Sequence, residues 1–189
     1  MTSDPAHRAL AVLSALICAW QLYASPRVKG KYTNQKYAFS VQVPAGTFGY
    51  MSPAPAPNHG VAIFLDAKKR DDTKDPAVFI DGFFDAEGLA SAEKLAAQMA
   101  SSFASENHLA VVRDARSRLA DLDAREVILR GTNSPGNINY IHLLVGYRPI
   151  PGSEVGIYYM VWLQSRSDDP QMEATYDAVV RSFALVPIP

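Results

Sequence analysis

The chain has a single cysteine, Cys18, and it lies in an apolar run near the amino terminus. Everything beyond that run therefore forms no disulfide and offers no thiol nucleophile. A surplus of positive charge is also missing. Eighteen Lys and Arg stand against 19 Asp and Glu, for a net charge of −1. This balance argues against nucleic-acid binding, which depends on a basic patch that displaces counterions. No polybasic run suited to anionic lipid is present either. None of the 11 glycines falls in a G-x-G-x-x-G or P-loop frame, so no phosphate-cradling loop is expected. There is no G-x-S-x-G nucleophile elbow and no closely spaced His/Cys/Asp set of the kind that holds zinc. Asp71, Asp72 and Asp75 are close in sequence, but they lack a calcium-loop frame and are interleaved with Lys68, Lys69, Arg70 and Lys74. That mixture fits a solvated hairpin tip better than a cation site. These absences lead to the expectation of no cofactor, no metal and no enzyme activity.

What is present begins with a segment of different character. Residues 1–8 are short and polar, with Arg8 close to the apolar run ALAVLSALICAW that starts at Ala9. The run is shorter than the roughly 20 apolar residues a membrane-spanning helix needs. Small residues follow at Ala24 and Ser25. This is the tripartite pattern of a secretory signal peptide, with cleavage after Ala24 as the best fit and an uncleaved N-terminal anchor as the alternative. Ile17, directly before Cys18, is too large for a lipoprotein signal. The expected organisation is therefore a signal peptide or anchor at 1–25 and one domain at 26–189, periplasmic or otherwise exported. Membrane contact is expected only through the N-terminal segment. A hydrophobic fraction of 48% is ordinary for a folded domain.

Along the domain, residues 26–35 read as a polar lead-in. KYAFSVQVP then alternates: Tyr37, Phe39, Val41 and Val43 point one way, and Ala38, Ser40 and Gln42 the other. Strict alternation marks a strand with one buried face. SPAPAPNHG at 52–60 reads as a stiff proline-spaced loop. Strands are expected at 61–67 and 77–85, with the charged tip between them. Ala92, Leu95, Ala96, Met99 and Phe103 recur at helical spacing after Ser91, a good N-cap. Further strands are expected at 109–119, polar enough for a sheet edge, and at 124–131, 138–147 and 155–165. A closing helix opens at Asp168 or Asp169 with proline in its first turn, and its stripe is Met172, Tyr176, Val179, Val180 and Phe183. Short turns between strands predict an α+β fold: a mainly antiparallel central sheet of about seven strands with two helices packed on it.

Three features together resemble the PsbP-like superfamily. One is the early strand Tyr37-x-Phe39-x-Val41-x-Val43-Pro44. Another is the central stretch Ala124-Arg125-Glu126-Val127. The third is the closing helix Tyr176-Asp-Ala-Val179-Val180-Arg-Ser182-Phe183. The resemblance spans roughly residues 32–186 and implies an α/β/α sandwich. It implies no single function, because members include photosystem subunits, import factors and immunity proteins against secreted toxins. No family-wide catalytic residues carry over, and the SPAPAPNHG loop and KKRDDTKD tip lie outside the shared pattern.

Within this frame the candidate binding residues are few. His142, in NYIHLLVGY, shares a strand face with Ile138, Tyr140 and Leu144. A histidine there is usually a hydrogen-bonded structural residue, and less often a ligand. Tyr158, Met160 and Trp162 share one strand face and Tyr159, Val161 and Leu163 the other, so the strand is central and covered on both sides. Alternatively Tyr158 and Trp162, with Tyr140 nearby, line a groove, since Tyr and Trp commonly anchor interfaces. His59 is the remaining candidate. The leading expectation is a non-enzymatic, exported bacterial interaction module with a protein partner. An immunity protein that plugs a periplasm-acting toxin with SPAPAPNHG or RPIPGSE is its sharpest form. The alternatives are a small envelope hydrolase or lipid-handling protein using His142 or His59, and a structural accessory subunit of an envelope complex.

Overall fold

The computed structural model describes residues 26–51, 59–71, 73–132 and 137–188. The expected signal segment and most of SPAPAPNHG lie outside these residues. The chain order is β1 (Arg27–Val28), β2 (Lys31–Asn34), β3 (Phe39–Gln42), β4 (Phe48–Met51), β5 (Gly60–Phe64), β6 (Ala77–Phe84), α1 (Ala92–Asn107), β7 (Ala110–Leu119), β8 (Leu122–Arg130), β9 (Tyr140–Arg148), β10 (Ile157–Ser165), α2 (Pro170–Ser182) and β11 (Ala184–Leu185). Eight strands form one sheet in the order β1-β4-β5-β6-β10-β9-β8-β7, and three form a second in the order β11-β3-β2. Every pairing is antiparallel. The mainly antiparallel sheet and the two helices agree with the sequence reading.

β10 explains the layering. Its residues are apolar toward both faces, and it pairs with β6 on one side and β9 on the other. Tyr158 and Met160 face α1, packing with Leu95, Ala96 and Ala100 of that helix and with Leu143 and Val145 of β9. Tyr159, Val161 and Leu163 face the opposite way, toward Met172, Tyr176 and Val179 of α2 and toward Phe39 and Val41 of β3. Three layers result: α1, the large sheet, and a third layer shared by α2 and the small sheet.

The strand in KYAFSVQVP differs from its expected form. Residues 26–35 are not a plain lead-in, because they contain β1 and β2. β2 and β3 make a hairpin, so Tyr37 and Ala38 lie in its turn, with Ala38 in the left-handed region at φ 54°. β3 then joins the small sheet, closed by β11 after α2. Its aromatic side is nevertheless buried. Phe39 stacks on Phe183 at 5.7 Å, and Tyr159 donates a 2.9 Å hydrogen bond to the Tyr37 carbonyl. The two sheets approach closely at Gly82, where a Cβ would come within 2.7 Å of the Tyr37 Cβ. Two short strands that the sequence reading did not assign, β1 and β4, pair with each other at the far edge.

Local signals set the helices. Ser91 caps α1 by accepting from the Lys94 amide at 3.3 Å. The helix stops where His108 turns left-handed and the Leu109 amide returns to the Ala104 carbonyl at 3.0 Å. Asp169 caps α2 by accepting from the amides of Gln171 and Met172, with Pro170 as the first helical residue. β7 is an edge strand, as its polarity predicted.

Candidate functional site

Two polar regions flank the large sheet, one on each face. On the α2 face, β8 and β9 are adjacent and place Glu126 beside His142. The imidazole is buried, with Nε2 at 3.0 Å from Glu126 Oε1 and Nδ1 at 3.2 Å from Glu173 Oε2 of α2. Glu126 is also held by Arg113 Nε of β7 at 2.9 Å. The Tyr176 ring lies over the imidazole at 4.2 Å. Carboxylates only accept, so both contacts are hydrogen bonds only when both ring nitrogens carry protons. Burial works against that charged form, but the hydrogen bonds and charges of Glu173 and Glu126 outweigh it and raise the His142 pKa. Burial likewise works against ionised Glu173. The hydrogen bond to His142, the Tyr140 hydroxyl and the charges of His142 and Arg130 overcome it, leaving the Glu173 pKa below the ordinary carboxylate range. Glu173 Oε1 and the Tyr176 hydroxyl are buried without hydrogen-bond partners.

This arrangement is a clamp between a helix and a sheet. Both imidazole nitrogens are occupied by carboxylates and one ring face is covered by Tyr176, which leaves the histidine poorly placed to take a proton from a bound molecule. Among the described residues, no group of three or more His, Cys, Asp or Glu is arranged to hold a metal ion.

On the α1 face the sheet carries a groove of about 700 Å³. Its walls are residues 90–93 at the start of α1, residues 121–125 at the end of the β7–β8 turn and the start of β8, Arg116 and Ser117 of β7, and Tyr147 and Pro149 at and just past the end of β9. The α1 wall is fixed from below. Asp85 is buried and accepts from the amides of Leu89 and Ala90 at 3.1 and 2.8 Å, and the Ser91 amide donates to the Tyr158 hydroxyl at 3.2 Å. The opposite wall is charged. Arg125 is ion-paired with Asp114, whose hydrogen bond raises the Arg125 pKa. Arg118 holds the turn through the Asp121 carbonyl at 2.8 Å and faces Asp123 at 3.5 Å. The groove thus combines the apolar ring of Tyr147 with charges of both signs at its rim.

The expected site residues divide between these regions. Tyr140 and His142 share the α2 face, as alternation predicted, and Tyr140 contributes to the Glu173 environment. Tyr158 and Trp162 lie on the other face, so a groove built from Tyr140, Tyr158 and Trp162 does not form. Register is the reason. Tyr140 is opposite Ser165, whereas Tyr158 is opposite Tyr147 and Trp162 opposite Leu143. Side chains directly opposed across strands share a face, which puts Tyr140 with the odd-numbered residues of β10. Tyr158 is buried and braces α1. Trp162 is partly buried, stacked on Phe79 at 4.6 Å. His59 is elsewhere: its ring stacks on Tyr37 at 5.2 Å and Nδ1 donates to the Gly82 carbonyl at 3.0 Å. Sequence reasoning did not select Glu126, Glu173 or Tyr176 as partners of His142. The available signal was Glu173 beside the buried stripe of α2, an acid that needs a cationic neighbour once the helix docks.

The fold and its two faces define the class. The chain has the PsbP-like fold, an antiparallel α+β sandwich with helices on both sides of the large sheet. A particular similarity supports this: the solution structure of cyanobacterial PsbP (CyanoP) from Synechocystis sp. PCC 6803 superimposes with a TM-score of 0.55 at 13% sequence identity, covering 86% of this chain and 93% of that chain. The sequence matches no protein-family model and no curated protein.

Proposed function

We propose that the protein is an exported, non-enzymatic interaction module whose protein partner docks in the groove between the start of α1 and the turn joining β7 and β8. The observation that carries this reading is the groove itself, with a braced helix start on one wall and paired charges of both signs on the other. Such a rim suits a protein surface, where complementary charges set orientation and exclude wrong partners. Tyr147 gives the apolar contact that an anchoring side chain needs. Pro149 lies in the RPIPGSE loop, and a proline-stiffened segment loses little entropy on binding. The clamped state of His142 supports a binding role over hydrolysis. The apolar run at residues 9–20 supports export. In its sharpest form, the partner is a secreted toxin whose active site the groove rim and the RPIPGSE loop obstruct.

Affinity capture from envelope extract tests this, with the wild-type chain beside the double variant Asp121→Arg/Asp123→Arg. Both side chains are exposed, at the β7–β8 turn and the start of β8, so the variant should fold normally. The expected result is one stoichiometric partner retained by the wild type and lost by the variant, with the partner's activity inhibited on binding. Equal retention by both chains would reject the groove as the docking site.

A further inference from the structure

We propose that the chain forms a two-fold dimer through β7, joining the large sheets of two copies edge to edge. β7 is ten residues long and, among the described residues, has a neighbour only on the β8 side. Its outer edge therefore presents unpaired backbone groups, a template for another strand. Val111 and Val112 at its start are 49% and 55% exposed, and the register slips between Val111 and Arg113. Charges and a bulge usually serve to block such an edge. Here the charges have a specific order that points to a second copy instead.

A two-fold axis normal to the sheet pairs β7 with itself in antiparallel fashion and keeps each face on its own side. Each choice of central residue then sets every pair. Centring on Arg113, Asp114, Arg116 or Arg118 opposes that charge to its own copy. Centring on Ser117 opposes Arg116 to Arg118 twice. Centring on Ala115 places Asp114 opposite Arg116 of the second copy, and Arg116 opposite its Asp114, with no like charges directly opposed. Opposite charges facing each other across strands stabilise a pair and like charges destabilise it, so the register centred on Ala115, which makes two Asp–Arg pairs, is favoured over these.

The isolated chain also shows why Arg116 seeks an anion. It is directly opposite Arg125 on β8. The carboxylates of its own edge are engaged, Asp114 with Arg125 and Asp123 with Arg118, and among the described residues no ion pair holds Arg116 to Glu93 or Asp121 across the groove. Asp114 remains half exposed, so it can reach across the two-fold while keeping Arg125. Residues 113–117 pair regularly with β8, which leaves their outer edge straight enough to accept a strand.

Sedimentation equilibrium of the full chain tests this with three variants, each checked for native circular dichroism. Asp114→Arg and Arg116→Asp each place like charges opposite one another at both ends of the central run. Each should weaken dimerisation at least about tenfold. The double exchange D114R/R116D restores opposite charges across the two-fold and gives Arg125 an aspartate at position 116, so it should recover the dimer. A monomeric wild type would overturn the proposal. So would a dimer unaffected by either single exchange, or single-variant losses that the double exchange does not reverse.

Discussion

His142→Leu is the substitution that probes the clamp most cleanly. Leucine approximates the volume of imidazole, so little cavity is created, but it removes both hydrogen-bond donors. His142 makes two contacts to ionised groups, at 3.0 and 3.2 Å. Hydrogen bonds to charged groups contribute about 1.5–3 kcal/mol each. The lower end applies, because Glu126 keeps Arg113 and the Glu173 side chain is 30% exposed. A loss of about 3 kcal/mol follows near neutral pH. The pH dependence carries the sign. The folded-state pKa of His142 is raised, so its contribution is full below the unfolded pKa of about 6.5 and is lost as pH rises through the folded value. Urea denaturation followed by circular dichroism at about pH 6.5 and about pH 9 should therefore show a gap between wild type and H142L that narrows with increasing pH. A gap that stays constant or widens would refute the imidazolium clamp and make His142 a neutral packing residue.

Three further substitutions test separate parts of the structure. Asp81 of β6 is half-buried, opposite Gly60 on one side and Met160 on the other, and burial pushes its carboxyl up to about 7. The folded state then holds a proton that the unfolded chain releases at lower pH, so stability falls as pH rises toward 7. Asp81→Asn should stabilise the protein at pH 8 by about 1 kcal/mol or more, because partial solvent contact tempers the full burial cost. Tyr159→Phe removes the buried bond to the Tyr37 carbonyl that ties the two sheets together, and thermal or urea melts should show a loss of about 1–2 kcal/mol. Asp169→Ala strips the cap from α2, for about 1 kcal/mol by the same assay.

The elements that were legible from sequence are those with a strong local pattern. The stripe Leu95-Ala96-Met99-Phe103 and the sequence Asp169-Pro170 specify helices by periodicity and capping alone. β10 announced its central position because both of its faces are apolar. The charged run at residues 113–118 announced an edge. What escaped reading depends on pairing. β1 and β4 are too short to show alternation: β4 is fixed by pairing with β5, and the two-residue β1 by pairing with β4. The placement of β3 in a second sheet is decided by β11, only two residues long. The partners of His142 come from β8 and α2, 16 residues before it and 31 after it. Strand parity gave the face of His142 correctly, but no local pattern states which helix covers that face. The same limit misplaced Tyr140 beside Tyr158 and Trp162, since the even numbers agree but the β9–β10 register opposes Tyr140 to Ser165.

Amide hydrogen exchange of the chain alone and in complex with the captured partner tests the groove most directly. Added protection is expected at residues 90–93, 121–125 and 147–149, with α2 and the strand segment around His142 unchanged. Protection confined to α2 and the His142 face, with the groove walls exchanging as in the free chain, would contradict the assignment and move the binding surface to the opposite side of the sheet.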